Sequence, residues 1–342
     1  MRLFAAFAVL VGHAWPLTGR HDVPRVAGVQ LFDLGVYVFF CLSGFLIATS
    51  WARSPRVVPF LLRRVFRIFP ALVVVVFATV FVVGPLVSSL SATVYFGEPR
   101  TWLYLTNVTL TTTYTLPGVF LANPIDGTVN GSLWTLGPEF LCYLGVVAIG
   151  LITLRAARPE WFRLAVFAAV GIGVAVIYLS GSSPRGAEDV LGVLVFFAGG
   201  ALLAQLDGLR MSAVLRRPVV VVGVTAAWIV VGTVVPEYAM LFAWLLLPVI
   251  VVGVGAQSTP GVRRVGRFGD FSYGLYLWGF PVQQVVTERL PGIPLAVDIL
   301  MVATIAGALA FASWWLVERR AIALGRHLGD RFRMMRKEMA HN

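Results

Sequence analysis

Arg2 and His13 are eleven residues apart, at the start and in the middle of the first apolar run, Leu3 to Leu17. On a helix eleven residues make about three turns, so both project from one face about 16 Å apart. With Arg2 at the aqueous edge, His13 falls near the middle of a bilayer. A neutral imidazole at that depth accepts a proton from a hydroxyl, the task of a general base. A histidine in an apolar helix also serves as a hydrogen-bonded core residue that joins helices. Both readings stand at this point. Ionisable groups set against hydrocarbon are costly, which makes each of them a candidate site.

Arg63, Arg64 and Arg67 come next, read as opening the third apolar run just before Pro70. Spacings of three and four put all three toward one region of a helix. Guanidinium forks match phosphate oxygens, while arginines in a cytoplasmic loop also simply set orientation. Glu139 is the one acid clearly inside the fourth apolar run. Ser132 lies seven residues before it, two turns away on the same face unless Pro138 kinks the helix. A buried carboxylate needs a partner, and the arginines or His13 are the candidates. Ser43, in Leu42-Ser43-Gly44-Phe45, lacks the G-x-S-x-G elbow and reads as a site of close helix packing. Tyr273 and Tyr276 begin the ninth run, where aromatics commonly form an interfacial belt. His21, His327 and His341 fall outside the apolar runs, so no histidine metal cluster is expected.

The elements that position these residues follow from composition. The chain has 342 residues, 58% hydrophobic and 13% charged, with mean hydropathy +0.86. A soluble domain carries about 25% charged residues, so this is an all-α, polytopic transmembrane helical bundle. Ten apolar runs are expected to cross: 3–18, 30–50, 67–90, 132–154, 162–180, 188–206, 216–235, 237–256, 270–290 and 294–318. Residues 1–320 form the membrane domain and 321–342 a basic cytoplasmic tail that meets anionic lipid. The net charge is +11, from 26 arginines and Lys337. Alternate loops and the tail hold nearly all of it, including Arg53, Arg56, Arg155, Arg158, Arg163, Arg210, Arg216, Arg217, Arg263, Arg264 and Arg267. Only Arg20, Arg25, Arg100, Arg185 and Arg289 fall on the opposite side. The positive-inside rule then puts both termini in the cytoplasm and assigns the charge to orientation, not to nucleic acid. Cys41 and Cys142 lie in apolar runs and do not read as a disulfide framework. The long external connection, 91–131, carries Trp102, Tyr104 and Tyr114 and is either functional or disordered.

Five motifs occur together in order: Arg2-x10-His13; Gly35-Val36-x2-Phe39-Phe40-x-Leu42-Ser43-Gly44-Phe45; Arg63-Arg64-x2-Arg67-Ile68-x-Pro70; Ser132-Leu133-Trp134-Thr135-Leu136-x2-Glu139; and Ser272-Tyr273-Gly274-Leu275-Tyr276-Leu277-Trp278. In this the chain resembles the acyltransferase-3 family of integral membrane acyltransferases from Arg2 to about Arg320. The resemblance implies ten core helices, an acyl-CoA donor in the cytoplasm and a hydroxyl acceptor on a glycan, lipid or antibiotic. It implies His13 as the essential histidine, Arg2 as its companion, and Arg63, Arg64 and Arg67 as donor-handling residues. Glu139 is implied in catalysis, and Ser132, Trp134, Tyr273 and Tyr276 in substrate binding. Three departures stand out. An acidic residue and glycine usual before the first arginine are missing, so an upstream start is expected. Gly279 replaces the usual histidine after Trp278, and Arg319-Arg320 replaces Lys/Arg-Pro after Glu318.

The expected activity is therefore O-acyl transfer, acetyl foremost, from acyl-CoA without a metal. The expected setting is a multi-pass protein of a bacterial inner (plasma) membrane, with lipid around it and no nucleic-acid partner. A proton-coupled transporter of a lipid-linked sugar or small anion, with His13 and Glu139 as the coupled pair, is the other reading. Transporters of that kind often show inverted repeats, and no such symmetry is visible here.

Overall fold

The computed structural model describes residues 1–155, 160–181, 187–208, 212–215, 217–257 and 269–338. Arg158, Arg185, Arg210, Arg216, Arg263, Arg264 and Arg267 of the charge pattern lie outside these residues. Each expected apolar run coincides with a helix. They are α1 (Arg2–Leu17), α2 (Leu31–Arg53), α3 (Val57–Ala78), α4 (Leu136–Arg155), α5 (Glu160–Leu179), α6 (Glu188–Gly208), α7 (Pro218–Val234), α8 (Ala239–Ala256), α9 (Ser272–Arg289) and α10 (Leu295–Ser313), followed by α11 (Arg319–Glu338).

Seven helices among the described residues are long and apolar enough to cross a membrane, while α1 and α7 are apolar but shorter. α9 is not among them, because Gln283, Gln284, Glu288 and Arg289 lower its hydropathy. Its polar groups are covered by protein: apart from Tyr273, every residue from Ser272 to Gln284 is buried. The chain is thus a multi-pass, all-α membrane protein.

α3 begins ten residues earlier than the charge pattern suggested. Pro55 ends the preceding helix, and Val57 to Leu62 is already apolar, so helix resumes there. Arg63, Arg64 and Arg67 consequently lie in its second and third turns instead of opening it. α3 then continues through a π turn, Thr79–Val83, into Gly84–Val87. Pro85 has no N–H to continue the i→i−4 ladder, and the Gly84 N–H reaches back five residues to the Thr79 carbonyl.

The chain forms two compact units. One contains Met1–Ala5, Pro24–Val57 and the described residues from Pro138 to Gln257; the other contains Ala6–Val23, Val58–Gly137 and the described residues from Gly269 onward. In the first, α2 and α6 touch through glycine. A Cβ on Gly44 would overlap the Phe197 carbonyl, and one on Gly200 would overlap the Cys41 carbonyl. Backbones approach this closely only where side chains are absent, as small residues allow in membranes. Tyr37 stacks on Phe196 at 4.2 Å between centroids along the same seam. Gly44→Val is expected to destabilise the protein by about 3 kcal/mol, since the obstructing atoms are backbone. A thermal midpoint in detergent equal to wild type would refute this packing argument.

In the second unit the long connection, 91–131, is built of short helical pieces. Short helices Ala92–Gly97 and Pro99–Leu103 lead into a 3₁₀ segment, Tyr104–Thr109. Tyr95 and Tyr104 are fully buried, while Trp102 and Tyr114 face outward. The Tyr95 hydroxyl donates to the Val80 carbonyl at 3.0 Å and fills the space that Gly84 leaves open. At its far end Asn123 donates to the Gln284 side chain at 2.8 Å, and Gln284 donates to the carbonyls of Ile125 and Thr128. α10 passes through a π turn, Trp314–Glu318, directly into α11, whose Gly325 and Gly329 lie against Phe66 and Pro59 of α3. The expected tail is therefore helical as far as residue 338.

Candidate active site

His13 is half-buried on α1, three turns along an uninterrupted helix from Arg2. Its Nδ1 lies 2.9 Å from the Val9 carbonyl. A carbonyl only accepts, so Nδ1 carries the hydrogen and the basic lone pair is on Nε2. The helix's own backbone thus orients the ring.

Around His13 is a small, partly open cavity whose lining includes Val9, Leu10, His13, Ser132, Gly279 and Gln283. Phe280 meets the imidazole edge to face at 5.4 Å. Three local devices build this pocket. Pro281 cannot donate to the Leu277 carbonyl, which instead accepts from Asn130 Nδ2 at 3.0 Å. Asn130 also caps the 3₁₀ turn Gly131–Thr135 by accepting from the Ser132 N–H. Finally, the Tyr276 hydroxyl donates to the Ser132 carbonyl at 2.9 Å and is 2.7 Å from the Thr135 hydroxyl. Tyr276 is buried and so is no belt residue; Trp134, in the same turn, is half-buried. At Gly279 a Cβ would find Leu10 at 3.6 Å, an ordinary contact, so glycine leaves room beside the histidine.

Arg64 and Arg67 take different partners. Arg64 lies over the Phe60 ring at 4.4 Å along its own helix. Arg67 instead points into an acidic pair: Nη2 is 2.7 Å from Asp270 Oδ2, and Nη1 is 3.4 Å from Glu318 Oε2. Tyr273 lies under the same guanidinium at 5.6 Å and donates its hydroxyl to the Ile68 carbonyl. Asp270 also accepts from Ser272 at the start of α9, and the 1%-exposed Glu318 accepts from Ser313. The π turn that ends at Glu318 adds one residue to a turn, re-aiming its side chain by about 100°. Asp270 and Glu318 were not singled out in sequence as partners, although an acid in an apolar run always needs one. Arg63 is half-buried on α3.

Glu139, in the first unit, takes hydroxyl partners in place of the expected arginine or histidine. Ser43 donates to its Oε1 at 2.8 Å and Tyr143 to the same oxygen at 2.5 Å. Ser43 therefore packs closely and also bonds. Ser132 lines the His13 cavity. Cys41 and Cys142 are buried free thiols.

The family model described as an acyltransferase domain matches residues 1–319. An O-acetyl transferase of Shigella phage Sf6 is 30% identical over 324 residues, covering 93% of each chain. Nodulation protein 10 of Rhizobium leguminosarum bv. viciae is 30% identical over 355 residues, covering 95% of this chain and 92% of that one. The peptidoglycan O-acetyltransferase OatA of Listeria monocytogenes is 25% identical over 295 residues, covering 75% of this chain and 46% of its own length. No solved structure matches. With the match running through nearly the whole chain, this protein is an acyl-transferring enzyme and belongs to the acyltransferase-3 family.

Proposed function

We propose that the protein transfers an acetyl group from cytoplasmic acetyl-CoA to a hydroxyl of a glycan, glycolipid or secreted metabolite, with His13 as the general base. The observation that carries this reading is the Nδ1 contact with the Val9 carbonyl, which puts the basic nitrogen at Nε2 in a ring that lines a cavity. Ten crossings of the bacterial inner membrane, with both termini in the cytoplasm, follow from the charge pattern. CoA then approaches from the arginine-rich side. Arg63 and Arg64 meet its phosphates, and the slender pantetheine arm enters the second unit toward His13.

In the reaction, Nε2 takes the proton from the acceptor hydroxyl as its oxygen attacks the thioester carbonyl. The tetrahedral intermediate collapses with cleavage of the C–S bond, and the imidazolium returns the proton to the departing thiolate. Ser132, on the cavity wall, is within the acceptor's path, while Tyr276, Trp134 and Tyr273 shape the surrounding framework. Asp270 and Glu318 neutralise Arg67, which assigns it to holding α3, α9 and α10 together instead of binding phosphate. Glu139, with Ser43 and Tyr143, supports the first unit. Relatives named as O-acetyltransferases, one of them acting on peptidoglycan, favour acetyl as the acyl group and a glycan as acceptor.

The test uses native membranes containing the intact protein and acetyl-CoA labelled in its acetyl group. Label is expected in a glycan or lipid fraction from wild type, and not from a His13→Ala protein inserted to the same level. Equal labelling by both would remove His13 as the base.

A further inference from the structure

One pair of buried polar side chains beside the histidine is not absorbed by this mechanism. Gln283, 1% exposed, lines the His13 cavity one turn beyond Gly279 on α9. Its Nε2 donates to Asp298 Oδ2 at 2.5 Å, across to the first turn of α10. With the amide N–H on the carboxyl oxygen, Oε1 faces away from Asp298. Gln283 Oε1 and Asp298 Oδ1 are nevertheless both buried without a hydrogen-bond partner among the described residues. Buried polar atoms in folded proteins are nearly always satisfied, and a leucine and a methionine would pack here without that cost. The Gln283 amide oxygen can only accept, so what completes it is a donor.

We propose that Gln283, held by Asp298, is the specificity residue of the acceptor subsite. Its Oε1 accepts a hydrogen bond from a hydroxyl next to the one that His13 deprotonates, so the acceptor is a polyhydroxylated skeleton such as a sugar ring. This rests on the acyl-transfer reading above. The position favours the acceptor over the donor's amide groups. The neighbouring Gln284 is pinned to Asn123, Ile125 and Thr128 of the external connection, so Gln283 stands on the outer side of the cavity. A site built to satisfy a substrate hydroxyl rejects the analogue that lacks it, because its own buried acceptor is then left unpaired.

The experiment uses the full chain in lipid nanodiscs, acetyl-CoA, and a panel of methyl hexopyranosides with their monodeoxy analogues. For wild type, removal of one hydroxyl is expected to lower kcat/KM at least tenfold. In Gln283→Met/Asp298→Leu, which leaves no buried charge behind, that penalty should shrink below twofold. The KM for acetyl-CoA should stay within twofold, and the thermal midpoint should equal or exceed wild type. Asp298→Asn keeps a carbonyl oxygen for the Gln283 amide and should retain the deoxy penalty. The same penalty in wild type and double variant, or a loss confined to the acetyl-CoA KM, would overturn the assignment. Absence of histidine-dependent label both in every glycoside and in the glycan and lipid fractions of native membranes would instead sink the His13-based acetyl-transfer reading itself.

Discussion

His13→Gln is expected to slow acyl transfer about 10³-fold, the range lost when a general base is removed. Glutamine is near in size, and its amide N–H still donates to the Val9 carbonyl that now holds Nδ1. What it lacks is a basic lone pair facing the cavity. The loss should therefore appear in kcat, with the KM for acetyl-CoA and the thermal midpoint close to wild type. Thiol release measured with and without acceptor checks this. A variant that keeps a tenth of wild-type kcat would show that the histidine only packs, the alternative that the sequence leaves open.

The second large effect concerns Arg67. Arg67→Ala leaves Glu318, 1% exposed, without its cation, and removal of one partner of a buried pair costs about 3–5 kcal/mol. Folding should fail, or the thermal midpoint fall steeply, in detergent. Adding Glu318→Gln removes the stranded charge and should restore much of the loss. In that restored background the KM for acetyl-CoA should stay close to wild type if Arg67 is a clamp, and rise strongly if it binds phosphate. Arg63→Ala and Arg64→Ala, by contrast, should each raise that KM about tenfold, the worth of one charge-assisted hydrogen bond. Both stay folded in this expectation, because it is Arg67 that pairs with Asp270 and Glu318.

How much of this was legible in the chain depends on the kind of interaction. Local signals carried far: each of the expected apolar runs became a helix. The order of the short motifs was enough to identify the family. The start of α3 is not legible in the same way, because the charge of Arg63 and Arg64 reads as a loop while the helix already runs through them. Arginines snorkel from a helical turn as readily as from a loop.

By itself the sequence determined that this is a multi-pass helical acyltransferase, and it singled out His13, because hydropathy and one titratable ring in an apolar helix are properties of a single stretch of chain. The tertiary structure decided the partners. Arg67 found Asp270 203 residues away and Glu318 251 residues away, and Glu139 found Ser43 96 residues away. Gln283, in a run read only for its tyrosines, proved to line the histidine's cavity with Asp298 behind it. A buried charge or amide takes whichever complementary group the packing brings within hydrogen-bond reach, and spacing along one helix does not say which group that is.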